Sequence, residues 1–385
     1  MILALLGLGL LLGLVGARWV ERASFPSITG FLLIGMLLGP ILRVFPPHLS
    51  SQAAPLIDFA LALIFFLVGQ ELQLNELRQI GGRAVLLTAV QLLLTGALVA
   101  LAAGWLGLPV GWALVLGVVG STTDPAAVSH VLQTSASSGP LTAALQKTLA
   151  LGSVAGVLLF SLILPLVAPL DGHDLHVLVV LDILGRQLIL SLLLGLALGA
   201  ALHLWQAWTG HGPPRLPLLA LLAIGAGLVS LWKLNLLLTA VAFGAYVVNR
   251  IPRDGTVFAA AEGFSSPFLA IFFVRAGSER QPGQLWLSGW LGLAYVGSRL
   301  VGKIAGGWLG GWLGRFGRPV RRYLGACLIP QAAVALGLIT ALSGQFPSLA
   351  RQLSPLVLAG VVVFELVGPV TIHHSLRLAG ELPEG

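Results

Sequence analysis

The sequence predicts an all-α polytopic membrane protein with about thirteen transmembrane helices. Three observations carry that prediction. Of the 385 residues, 57% are hydrophobic and 9% are charged, against roughly 25% charged in a soluble domain. Apolar stretches of about 20 residues, enough to cross a hydrocarbon core about 30 Å thick, recur from end to end. Lys and Arg alternate in density from loop to loop, as the positive-inside rule requires.

In order, the predicted spans are 2–19, 26–43, 53–72, 84–105, 111–133, 141–170, 178–206, 214–231, 234–250, 257–277, 284–314, 320–343 and 352–374. The first has the length of a signal peptide but lacks a basic n-region and a cleavage site, so it reads as a retained helix. Sorting the loops puts thirteen Lys and Arg residues on one face, among them Arg18, Arg22, Arg83, Arg250, Arg315 and Arg321, and six on the other. The rich face is assigned to the cytoplasm, with the N-terminus outside and the C-terminus inside. The stretch at 171–176 reads as an acidic outer loop. This loop bias accounts for the net charge of +7, so no nucleic-acid partner is expected. A single cysteine, Cys327, excludes a disulfide framework and a cysteine metal cluster. The spans contain no His/Glu metal cluster and no nucleophile–base pairing, so neither an enzyme nor a cofactor is expected.

Charged residues within spans are the functional candidates, because an unpaired charge in a bilayer is costly. Asp124, in "STTDPAAVSH" (121–130), comes first. Pro125 has no N–H to donate and disfavours helix at the residue before it, so the span should break near Thr123–Asp124. Irregular backbone at membrane depth is tolerated where it is buried in protein or lines a wet cavity. There it would offer carbonyls, the Thr122 and Thr123 hydroxyls and one carboxylate, oxygen ligands suited to a dehydrated cation. The plainer alternative is a proline kink with Asp124 capping the second half-helix. A second break is predicted at Pro330 in "CLIPQAAVALG" (327–337), followed by Gln331. Interrupted helices at similar places in the two halves point to an inverted-repeat transporter with a midplane site.

Arg299 and Lys303 lie one turn apart and share a helix face; at least one should pair with Asp124 or Glu365. Gly302, Gly306, Gly310 and Gly314 recur every fourth residue and favour close helix packing. Glu365 otherwise reads as part of a structural pair, and Asp58 as a solvated carboxylate near the outer end of its span. Glu262 either guides cations at the inner side or is a solvated helix-start carboxylate. His130 is either a pH sensor or a polar span end.

The chain resembles the monovalent cation–proton antiporter superfamily, the bacterial sodium/proton and potassium/proton exchangers. The resemblance runs almost end to end, through "FPSITGFLLIGMLLGP" (25–40), "LALIFFLVGQELQLNELR" (61–78), "TTDPAAV" (122–128), "GFSSPFLAIFFVRAG" (263–277), "RLVGKIAGGWLG" (299–310) and "FELVGP" (364–369). It implies an inverted-repeat fold with two crossed broken helices and an elevator-like movement of a core. Core helices would lie at about 53–170, 257–277 and 320–378, dimerisation helices at about 1–43 and 178–250, and a linking helix with the buried lysine at 284–314. The family's broken-helix aspartate maps onto Asp124 and its buried lysine onto Lys303. One departure stands out. The Asp-Asp or Asn-Asp pair usual on the next helix is absent from "LQKTLALGSVAGVLLFSLILPL" (145–166), where Ser153 and Val154, or with a shift Ala155 and Gly156, fall at about its place. The arginine and glutamate common on the second broken helix are likewise replaced near Gln331 to Ala333.

The resulting expectation is one-for-one exchange of Na+ or K+ for H+ by a homodimer in a bacterial-type inner (plasma) membrane. Asp124, Thr122, Thr123 and Ser153 would bind the ion, with Lys303 and Arg299 as charge partners and Glu262, Gln331 and Glu365 as accessory candidates. The competing expectation keeps the fold with a permanent Asp124–Lys303 pair, in an anion or organic-solute carrier or a non-transporting regulator.

Overall fold

The computed structural model describes residues 2–22, 27–42, 44, 54–75, 80–167, 185–210, 214–251, 256–278 and 289–383. The predicted acidic loop at 171–176 and the loop residues Arg43, Arg78, Arg253 and Arg280 lie outside them. All regular structure among the described residues is helical. The helices are α1 (Ile2–Arg22), α2 (Ser27–Met36, continued by a π turn over Leu37–Ile41), α3 (Ala54–Gly69), α4 (Gly82–Trp105), α5 (Val110–Ser121), α6 (Pro125–Thr134) and α7 (Pro140–Val167). They continue with α8 (Ser191–Thr209), α9 (Arg215–Trp232), α10 (Leu236–Arg250), α11 (Thr256–Ser278), α12 (Gly289–Leu313), α13 (Arg318–Cys327), α14 (Ala333–Gln345) and α15 (Pro347–Ala379). Each falls on a predicted span, and six are long and apolar enough to cross a membrane. The protein is a multi-pass membrane protein.

Helix ends follow local chemistry. Pro occupies the first turn of α6, α13 and α15, where its missing N–H costs nothing. Asn235 caps α10 by accepting from Leu238 N at 3.1 Å. Gly210 (φ 67°) and Gly380 (φ 71°) close α8 and α15 in the left-handed region, which glycine enters without a Cβ penalty.

The chain forms two compact units. The first comprises Met1–Trp19, Gly30–Leu77 and Gly172–Gln281, and α3 and α11 pack within it beside α8, α9 and α10. Small residues let its backbones meet: Gly69 of α3 lies against Val241 O, and Gly244 of α10 against Phe66 O. Phe66 also stacks on Phe258, with centroids 5.2 Å apart. Asn249 ties down the chain after α3, donating to Leu72 O at 2.7 Å and accepting from Leu74 N at 2.8 Å.

The second unit comprises Val20–Thr29, Arg78–Asp171 and Pro282–Gly385. Its dominant contact is α12 on α4, and the glycine repeat explains it. A Cβ at Gly302 would stand 2.7 Å from Thr95 Cα, one at Gly306 2.9 Å from Gln91 Cα, and one at Gly310 2.7 Å from Leu87 O. Gly314 departs from the predicted stripe, packing beside Phe316 in the turn that ends α12. There Arg83 donates to Gly314 O and Arg315 O. Leu87, Val128, Leu145, Leu324 and Ile372 belong to one apolar core that joins α4, α6, α7, α13 and α15.

Candidate functional site

Two interrupted helices meet inside the second unit. The first break runs from the end of α5 at Ser121 to Pro125, with Thr122 (φ −68°, ψ 155°) and Asp124 (φ −83°, ψ 112°) extended. This is the conformation that Pro125 imposes on its predecessor. The second break runs from Cys327 to Ala333, around Pro330. The breaks interlock through one backbone and one side-chain hydrogen bond. Asp124 N donates to Pro330 O at 3.1 Å, and Thr123 Oγ1 donates to Leu328 O at 3.1 Å.

Together the two breaks leave two helix N-termini with unpaired N–H groups and two C-termini with unpaired carbonyls. The charged side chains are sorted accordingly. Asp124 serves both N-termini: Oδ1 accepts from Ala126 N of α6 at 3.0 Å, and Oδ2 from Ala333 N of α14 at 3.1 Å. The two cations of α12 serve the carbonyls. Lys303 Nζ donates to Ser121 O at 2.6 Å and to Thr123 Oγ1 at 2.7 Å. Arg299 donates to Ile329 O at 2.7 Å and to Thr122 O at 2.8 Å, and its guanidinium lies 4.3 Å from the Phe364 ring centroid. Negative charge at helix N-termini and positive charge at C-termini both complement the helix dipoles. All three side chains are buried, Arg299 and Lys303 completely.

Gln331 braces the same crossing, donating to Val119 O at 3.1 Å and to Tyr295 Oη at 2.9 Å. The middle of α15 covers it. A Cβ at Gly360 would meet Tyr295, one at Gly368 would meet Pro330, and Phe364 carries the Arg299 guanidinium. Glu365, on the same stretch, is fully buried, and neither carboxylate oxygen has a hydrogen-bond partner.

Asp124, Thr122, Thr123, Arg299, Lys303 and Gln331 therefore converge. The expected ion pairing of Arg299 or Lys303 with a buried carboxylate takes a different form: their hydrogen bonds go to carbonyls and to the Thr123 hydroxyl. The physical reason is the pair of broken C-termini, whose carbonyls lack helical partners. The capping role offered as the plainer alternative for Asp124 is present, and its second oxygen extends it to the other broken helix. Thr122 is buried and its hydroxyl donates to Val119 O at 2.8 Å. Ser153 is buried on α7 and its hydroxyl donates to Leu149 O at 2.7 Å. Glu262 is exposed on α11 of the first unit, and His130 is exposed on α6. Asp58, on α3, is partly buried and faces the charge of Arg275 of the same unit. Sequence reasoning missed Tyr295. Its position four residues before Arg299 and eight before Lys303, on one helix face, was the available signal.

The family model described as "Sodium/hydrogen exchanger, transmembrane" matches residues 7–378. The chain belongs to this family, which is one of transporters and not of enzymes. Over 99 residues it is 31% identical to Na(+)/H(+) antiporter 1 of Methanocaldococcus jannaschii, a match spanning 25% of this chain and 22% of that relative. Its fold is that of the sodium proton antiporter MjNhaP1 from the same organism. One structure of that protein, at pH 8, superimposes with a TM-score of 0.70 at 19% identity, covering 99% of this chain and 97% of the other. A second, from an electron-microscopy map, gives 0.69 at 19% identity over 100% and 99%.

Proposed function

We propose that the protein exchanges a monovalent cation, Na+ or K+, for H+, one for one, by elevator-type alternating access, with Asp124 as the carrier carboxylate. The observation that carries this reading is the buried Asp124 carboxylate at the meeting point of two broken helices. Its two acceptor bonds come from two different half-helices, so a ligand that loosens either bond acts on both. Thr122 and Thr123 add neighbouring oxygens, and Ser153 is the hydroxyl on the adjoining helix. Family membership and the likeness to sodium proton antiporters support the same class of transport. The transport site would be carried by the second unit, and helices within 1–43 and 178–250 would form a homodimer scaffold. The chain would lie in a bacterial-type inner membrane with its N-terminus outside and its C-terminus in the cytoplasm. The alternative of a permanent Asp124–Lys303 pair loses ground, because the hydrogen bonds of Lys303 go to Ser121 O and Thr123 Oγ1 and not to the Asp124 carboxylate.

The test is cation-driven proton movement in proteoliposomes carrying a lumenal pH dye. Wild-type protein is expected to dissipate an imposed pH gradient on addition of Na+ or K+, and Asp124→Asn to abolish this. Undiminished exchange by Asp124→Asn sinks the assignment.

A further inference from the structure

Glu365 is a buried charged group that the proposed exchange does not use. No surface of it reaches solvent, and both its oxygens lack hydrogen-bond partners. A carboxylate buried without hydrogen bonds carries a desolvation cost, which a neutral side chain of the same size would avoid. Its surroundings locate it at the transport site. Residues 360, 364 and 368 of the same helix segment touch Tyr295, Arg299 and Pro330, and the charges Glu365 senses are those of Asp124 and Arg299. The two carboxyl groups differ in what protonation would disturb. Each oxygen of Asp124 is committed to a backbone N–H, whereas Glu365 gains or releases a proton without the loss of any hydrogen bond.

We propose that Glu365 is the proton-exchanging carboxylate of the transport site, ionised while Asp124 holds the cation and protonated when the cation leaves. This rests on the reading of Asp124 as the cation ligand. The balance is simple: the cation departs with one positive charge, and one proton joins the Glu365 carboxylate. The charge of the site is the same in both states, so one cation exchanges for one proton. It also supplies the second carboxylate that 145–166 lacks. Other titratable groups on the packed elements are poorly placed to do this. Helices α5 and α14 carry none, and His130 of α6 and Lys147 of α7 are exposed. Cys327 of α13 faces Ser375 and Glu381, and Tyr295 and Lys303 of α12 are bonded at the breaks.

The experiment is isothermal titration of Na+ and of K+ into the full chain in lipid nanodiscs, over about three pH units. Proton release is followed in parallel in weak buffer. Wild-type affinity should fall about tenfold per pH unit below the coupling midpoint, with about one proton released per cation bound. In Glu365→Gln, binding should persist with the slope flattened to less than about twofold and proton release near zero. A Glu365→Gln slope equal to wild type overturns the assignment, while leaving the Asp124 reading intact. Absence of Na+ and K+ binding by wild type, or retained binding in Asp124→Asn, overturns the Asp124 reading itself. If Glu365→Gln does not fold, Glu365→Asp decides: a displaced coupling midpoint is expected, and an unmoved one refutes the role.

Discussion

Thr123→Val tests how the two breaks are held together. One hydroxyl joins three elements, accepting from Lys303 Nζ at 2.7 Å and donating to Leu328 O at 3.1 Å. Valine has nearly the same shape, so no cavity forms, and both bonds are lost. A neutral hydrogen bond contributes about 0.5–1.5 kcal/mol and one to a charged group about 1.5–3 kcal/mol. Interhelical bonds in membrane proteins run towards the low end of such ranges. The expected destabilisation is therefore about 2–3 kcal/mol, roughly 30- to 150-fold in the folding equilibrium. Thr123→Ser keeps the hydroxyl and loses a single methyl, at about 0.8 kcal/mol or less. Reversible SDS unfolding in mixed micelles measures both. In a Lys303→Met background Thr123→Val should cost about 1.5 kcal/mol less, since the charged bond is already gone. Equal stability of Thr123→Val and Thr123→Ser, or full additivity with Lys303→Met, refutes the bridging role.

Two further outcomes follow from packing and capping. Gly306→Ala puts a methyl 2.9 Å from Gln91 Cα and should cost about 1–3 kcal/mol through overpacking. Gly297→Ala on the same helix meets nothing within 4 Å and should be neutral or stabilising by up to about 1 kcal/mol; similar losses in unfolding assays for the two would contradict the close α4–α12 contact. Glu381, beyond the end of α15, caps α7 by accepting from Leu141 N at 2.6 Å, Thr142 N at 2.7 Å and Thr142 Oγ1 at 2.7 Å. Glu381→Gln should therefore speed amide exchange in the first turn of α7 and destabilise the chain by about 1 kcal/mol. Unchanged exchange at residues 141–142 would show that the cap is dispensable.

Much of the site could be read from short-range rules. Pro125 and Pro330 lack an N–H wherever the chain goes, so the breaks at 122–124 and 328–332 were legible. The four-residue spacing of Arg299 and Lys303 put them on one face of any helix, and the repeat of Gly302, Gly306 and Gly310 marked a close contact without naming its partner. The cations' own partners were not legible. Pairing them with Asp124 or Glu365 was the natural inference from charge, but free carbonyls at two broken C-termini were nearer. Glu381 gave no local sign of its role, because the helix it caps begins some 240 residues earlier in the chain.

By itself the sequence determined that this is a helical membrane protein with an aspartate at one helix break and a second break to match. Composition, proline chemistry and helical period act within a few residues and need no partner. Tertiary structure alone decided that Asp124 joins both broken helices, that Lys303 reaches Thr123 across 180 residues, and that Glu365 stays without a hydrogen bond at the crossing. Those outcomes depend on which helix faces pack together, and the burial of the whole chain settles that.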